Sequence, residues 1–199
     1  MPSDDKNRVA PTVQPEYAER LRRLSGARWK AVLDVQRPYR WNLQRLDLGK
    51  TLDVGCGIGR NLSALAVGSV GVDHNPECVD TARRAGFTAY VPGELPQLEF
   101  DSLLFSHVLE HMEESAAEAL LQAYLPYLKV AGTVVFMTPQ EAGFASDPTH
   151  VHFTDFDGLS RIARGQRLVP VSMYSFPFPR FAGRFFRYNE FVLIARSLT

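Results

Sequence analysis

Nine residues constrain the fold of this chain more than any others: Leu52-Asp53-Val54-Gly55-Cys56-Gly57-Ile58-Gly59-Arg60. A short apolar run breaks into Gly-x-Gly-x-Gly and then into a helical pattern, which predicts a strand, a tight turn and a helix. Glycines in such a turn let the backbone bend sharply and approach a ligand with no β-carbon in the way. In an open α/β sheet, ligands bind outside the carboxyl ends of the strands. Val72-Asp73 closes a second short apolar run twenty residues after Asp53, and a carboxylate there can accept both hydroxyls of a ribose. The spacing therefore points to a nucleoside-like ligand. Arg60 stands where a dinucleotide fingerprint needs its third glycine, and no Gly-x-x-x-x-Gly-Lys-Ser/Thr segment occurs, which excludes a P-loop.

Around this turn, strand and helix signals alternate. Residues 51–54, 69–72, 88–91, 100–105 and 133–137 read as strands, with two more at 167–174 and 191–195. Helices are expected over 61–67, from the Asn75-Pro76 start to about 85, over 113–128, and from Thr154-Asp155-Phe156-Asp157, a capping-box-like start, to about 164. Residues 16–48 carry a helical period interrupted by Pro38, and residues 1–15 read as a loose polar tail ahead of a single domain over 16–199. Such alternation implies a mainly parallel sheet with helices on both faces. At 199 residues the chain suits one full-sized domain. Twenty-two basic residues balance 22 acidic ones, so the chain as a whole has no electrostatic footprint for duplex nucleic acid or an anionic membrane. No apolar run spans a bilayer and no signal peptide is visible, so a cytoplasmic location is expected. Cys56 and Cys78 make no disulfide framework.

The segments LDVGCGIGR, GVDHNPECVD and FDSLLFSHVLEHM, over roughly residues 50–115, resemble the class I S-adenosylmethionine-dependent methyltransferases. The resemblance implies an α/β, Rossmann-like fold with a seven-stranded, mostly parallel sheet whose last strand is antiparallel, so that 167–196 closes as a hairpin. It also implies S-adenosylmethionine as cofactor. Gly55, Gly57 and Gly59 would flank its methionine part, and Asp53 would hold the amino group directly or through water. Asp73 would take the ribose hydroxyls and Glu94 the adenine amine, although Gly-Glu stands here where relatives commonly have Gly-Asp. Ser106 and His107 would line the pocket near the sulfonium, and Arg40 would be available to the cofactor carboxylate.

The histidines carry the second signal. His107, Glu110 and His111 are spaced i, i+3, i+4 and share one face if the segment is helical. His150 and His152, two apart, point the same way on an extended backbone. Both clusters fall at the same sheet edge, where a carboxylate and neutral imidazoles can bind a divalent cation. A subset of the family, which includes small-RNA 3′-terminal ribose methyltransferases, uses Glu-x-x-Glu-His plus a later His to hold a magnesium-type ion. Here His107 replaces the first Glu, leaving Glu110, His111, His150 and His152 as candidate ligands. Two other readings stand beside this one: a metal-free His base, since Leu-Glu-His also occurs in members that bind no metal, and histidines that merely pack.

Methyl transfer from a sulfonium is an in-line displacement, so the enzyme must position the acceptor and take its proton. An aliphatic hydroxyl gives up that proton reluctantly, and a bound cation lowers the barrier. Metal plus His therefore points toward a vicinal diol, a sugar or a catechol, whereas a lone His suits a phenol or quinone precursor. The short saccharide O-methyltransferases, such as those that cap methylmannose polysaccharides, fit the size and histidine pattern. Residues 173–191 interleave aromatic side chains with Arg180, Arg184 and Arg187. They read as packing of the final hairpin, as a homodimer contact, or as an aromatic wall over an oligosaccharide or small-molecule acceptor. A cofactor-binding adaptor without activity is the non-enzymatic rival.

Overall fold

The computed structural model describes residues 36–198. The expectations for residues 1–15, and for 16–35 within the N-terminal helical stretch, lie outside the described residues. Helix α1 (Arg37–Arg45) opens the described chain with Pro38 in its first turn. Seven strands follow: β1 (Thr51–Val54), β2 (Val70–Val72), β3 (Ala89–Tyr90), β4 (Phe100–Ser106), β5 (Leu128–Pro139), β6 (Leu168–Phe176) and β7 (Glu190–Ser197). They form one sheet in the order β3-β2-β1-β4-β5-β7-β6. Strands β1 to β5 are parallel, β7 runs antiparallel beside β5, and β6 pairs antiparallel with β7. This is the seven-stranded Rossmann-like arrangement with a closing hairpin that the sequence implied.

The central strands are apolar on both faces because both are covered. Along β4 and β5, Leu103, Phe105, Val134 and Phe136 belong to one buried cluster with Ala117 and Leu121 of α3 (Glu114–Tyr124) and with Leu159 and Ile162 of α5 (Phe156–Gly165), which follows the single-turn α4 (Glu141–Phe144). Their alternate neighbours Leu104, Val135 and Met137 pack instead with Leu43 of α1. The period of two thus sorts side chains between two helix layers. A third cluster joins Cys56 to Val79 and Ala82 of α2 (Pro76–Arg84).

Several boundaries differ from expectation for local reasons. The helix expected over 61–67 is a single 3-10 turn at Asn61–Ala64, because the chain turns extended at Leu65. Helix α3 ends at Tyr124, and Pro126 sits in a 3-10 turn before β5, which begins at Leu128 rather than Thr133. Proline removes a helical donor, so the longer helix was not available. Asn75 caps α2 by accepting from the Glu77 and Cys78 amides. At α5 the cap is Asp155, which accepts from the Asp157 and Gly158 amides; Thr154 lies one residue outside, its carbonyl taking the Thr138 hydroxyl. Among the described residues, no helix is long and apolar enough to cross a membrane.

Candidate active site

The site assembles at the carboxyl ends of β1, β2, β4 and β5. The antiparallel sense of β7 brings its amino end, Asn189-Glu190, to the same edge: Pro139 pairs with Glu190. A cleft there is lined by Gly55, Cys56, Gly57 and Ile58 of the glycine turn, by Asp73, Ser106 and His107, and by Arg187 to Glu190 and Tyr39 opposite. Gly55, Gly57 and Gly59 all have positive φ (76°, 52° and 85°), backbone that L side chains avoid. A β-carbon on Gly55 would stand 2.8 Å from a Val108 methyl. Asp73 receives the Gly57 and Asn75 amides, each at 2.8 Å, one on each carboxylate oxygen. These bonds fix the carboxylate at the rim of the cleft with further lone pairs to offer.

Asp53 is fully buried beneath the turn. Its Oδ1 lies 3.4 Å from the Asn61 amide nitrogen, and its Oδ2 has no hydrogen-bond partner. Burial raises its pKa to about 7, against the lowering effect of Asn61. An orphaned carboxylate oxygen in a protein interior is costly, and a cationic group held above it would satisfy it.

A second cluster begins where β4 ends. His107 adopts left-handed backbone (φ 56°), which swings its ring between two carboxylates: Nδ1 lies 3.1 Å from Glu110 Oε1 and Nε2 lies 2.8 Å from Glu190 Oε1. Desolvation alone would lower its pKa, but Glu190 and Glu110 outweigh it and hold the imidazole well above its ordinary value. His107 is therefore a charged strut between two acids, poorly placed to accept a proton. Glu110 is buried, and its other oxygen, Oε2, has no partner. Its pKa lies below the ordinary range because, against the burial that would raise it, the hydrogen-bonded His107 stabilises the anion.

Glu110, His111 and His150 offer ligand atoms within 4.8 Å of one another. The loop after β5 is drawn onto this turn by the Val151 and His152 amides, which donate to the Glu110 carbonyl. His111 Nδ1 donates to the Thr149 carbonyl at 3.1 Å and His150 Nδ1 to the Phe144 carbonyl at 2.9 Å. A carbonyl only accepts, so both rings carry hydrogen on Nδ1, the tautomer that presents a lone pair at Nε2. Burial keeps the His111 pKa below its ordinary value despite Glu110. A buried carboxylate oxygen and two imidazoles oriented through Nδ1 are a donor set for a divalent cation.

Residues 13–181 match the family model described as a methyltransferase domain. The chain belongs to this methyltransferase-domain family. A search of curated proteins finds no significant match. Solved structures share the fold at low identity. One is a SAM-dependent methyltransferase from Archaeoglobus fulgidus, with 18% identity over 84% of this chain and 99% of that one, at a TM-score of 0.61. Another is the magnesium protoporphyrin IX methyltransferase of Synechocystis PCC 6803 with bound SAH, with 15% identity over 97% and 100% and a TM-score of 0.69. A third is the N-methyltransferase NodS of Bradyrhizobium japonicum WM9, with 16% identity over 82% and 97% and a TM-score of 0.62.

In this methyltransferase-domain protein the anticipated residues do not all converge. Gly55, Gly57, Asp73, Ser106 and His107 line the cleft, whereas Asp53 lies under it and reaches it through Asn61. A β-carbon on Gly59 would meet Phe87 and Ala82, so that glycine serves packing. Glu94 is exposed and paired with Arg83 at 2.9 Å, and neither it nor Arg40 lines the cleft. His107, Glu110 and His111 do not share a helix face, because only Leu109–His111 forms a 3-10 turn and His107 precedes it in left-handed backbone. His152 points away from His150, toward Glu113 and Glu114 at 3.9 and 3.6 Å. The residue that sequence reasoning missed is Glu190, in the otherwise unmarked run Tyr-Asn-Glu-Phe. A lone acid opening an apolar strand was its one signal.

Proposed function

We propose that this protein transfers a methyl group from S-adenosylmethionine to a hydroxyl of a saccharide, with a divalent cation, magnesium by preference, held by Glu110, His111 and His150. The observation that carries the reading is the cluster in which Glu110, His111 and His150 offer ligand atoms within 4.8 Å of one another, with Glu110 Oε2 buried and orphaned and both imidazole tautomers set by backbone carbonyls. In the cofactor half, Asp73 binds the ribose hydroxyls, the glycine turn admits the methionine part, and the buried Asp53 offsets its ammonium charge. The cofactor supplies an activated methyl and the cation lowers the pKa of an acceptor oxygen at its site. His107, bridged to Glu190 between the two halves, holds Glu110 ionised through the bond to its Oε1.

The test is methyl transfer from labelled S-adenosylmethionine to pooled saccharides and phenols, with chelator and with added magnesium. Saccharide labelling that chelator abolishes and magnesium restores is the expected result, with His111→Ala inactive but still binding S-adenosylhomocysteine. A second reading, a metal-free His base acting on a phenol, draws on the neutral state in which burial holds His111. Chelator-insensitive labelling of phenols would favour it.

A further inference from the structure

The chain is neutral overall, but its charge is segregated. Residues 177–188, the excursion between β6 and β7, hold three arginines and no acid, while the remaining described residues hold 12 basic and 17 acidic side chains. The same excursion exposes Phe178, Phe181 and Phe185 at 50, 70 and 84% of their surfaces. Rings exposed to this extent project outward. A stacking platform for a sugar or base would instead present a ring face from within a recess. The excursion is also rigidly held. Buried Asn189 accepts the Phe178 amide and donates to the Phe178 and Pro179 carbonyls, and Arg180 is ion-paired with Glu141. Its far end, Arg187-Tyr188, forms one wall of the cleft.

We propose that this projection docks the enzyme on an anionic lipid surface, inserting Phe181 and Phe185 between headgroups while Arg184 and Arg187 meet the negative charge. Apolar tips flanked by basic side chains are the composition of interfacial binding, which needs no membrane-spanning helix. Pairing this excursion with its copy across a two-fold axis would bring two net-basic segments together, so the charge favours an anionic partner over self-association. Because Arg187 and Tyr188 belong both to the excursion and to the cleft wall, docking would bring the cleft beside the lipid headgroups, where the head of an amphiphile would be within its reach. The surface argument does not depend on the acceptor being a saccharide.

The test is cosedimentation of the full chain with vesicles of phosphatidylcholine alone and of equal parts phosphatidylcholine and phosphatidylglycerol. Binding is expected to the anionic vesicles only, weakening at least tenfold as salt screens the surface. Phe181→Ser with Phe185→Ser is expected to weaken it about 100-fold and Arg184→Glu about tenfold, both with unchanged affinity for S-adenosylhomocysteine as the check on folding. Absence of binding, or binding indifferent to these variants, overturns the proposal. So does a dimer in light scattering, or binding of a single-stranded polyuridine, that the same phenylalanine substitutions abolish in place of vesicle binding.

Discussion

At the scale of single residues, the buried acid beneath the glycine turn ties ligand binding to pH. Asp53 has its pKa raised to about 7, so it is protonated in the empty protein at mildly acidic pH. A raised acid stabilises the fold most below the ordinary carboxylate range and loses that contribution as pH rises through about 7. Binding of a cationic ligand requires the ionised form. Calorimetric affinity for S-adenosylhomocysteine is thus expected to fall about tenfold from pH 8 to pH 6, and Asp53→Asn should flatten that dependence while weakening binding throughout. In the proposed function, Asp73 takes the opposite end of the cofactor. Two hydroxyl bonds to a charged acceptor are worth about 3 kcal/mol or more, so Asp73→Ala should weaken S-adenosylhomocysteine about 100-fold in the same measurement. Unchanged affinity would remove Asp73 from the ribose role.

At the scale of elements, the turn and the caps set the precision of the site. Gly55 combines φ 76° with a β-carbon position 2.8 Å from Val108. Gly55→Ala is expected to cost about 2 kcal/mol, from left-handed backbone plus the clash, and to lower cofactor affinity because Val108 leads into the His-bearing turn. Asp155 caps α5 with two amide bonds. Its replacement by Ala should cost about 1 kcal/mol and lower the melting temperature by about 2–4 °C, without changing ligand affinity. The cap at Asn75 was legible in the sequence because Asn-Pro carries its own mechanism. The end of α3 was misjudged because apolar residues continue past Tyr124, and only Pro126 marks the change. The strands β4 and β5 were legible because both faces are buried, which leaves a run of apolar residues no surface helix would have.

At the scale of the whole molecule, what the sequence concealed is what the topology creates. His107 and Glu190 are 83 positions apart and meet only because β7 enters the sheet antiparallel between β5 and β6. No local pattern marks that meeting. His150 and His152 were assigned together from their spacing. The loop that carries them is bound to the Glu110 carbonyl by the Val151 and His152 amides, and within it His150 meets Phe144 and His111 while His152 meets Glu113 and Glu114. The glycine turn and Asp73 needed no such long-range information, since each is placed by the strand that ends beside it. The shared strut has a thermodynamic corollary. One edge of the His107 ring meets Glu190 in the cleft wall and the other meets Glu110 of the proposed cation site, so under that proposal neither occupant would arrive without altering the charge felt by the other. Heterotropic linkage of this kind is reciprocal. Magnesium should change the dissociation constant of S-adenosylhomocysteine by about fivefold or more, and S-adenosylhomocysteine should change that of magnesium by the identical factor. In His107→Ala the two ligands should bind as strangers.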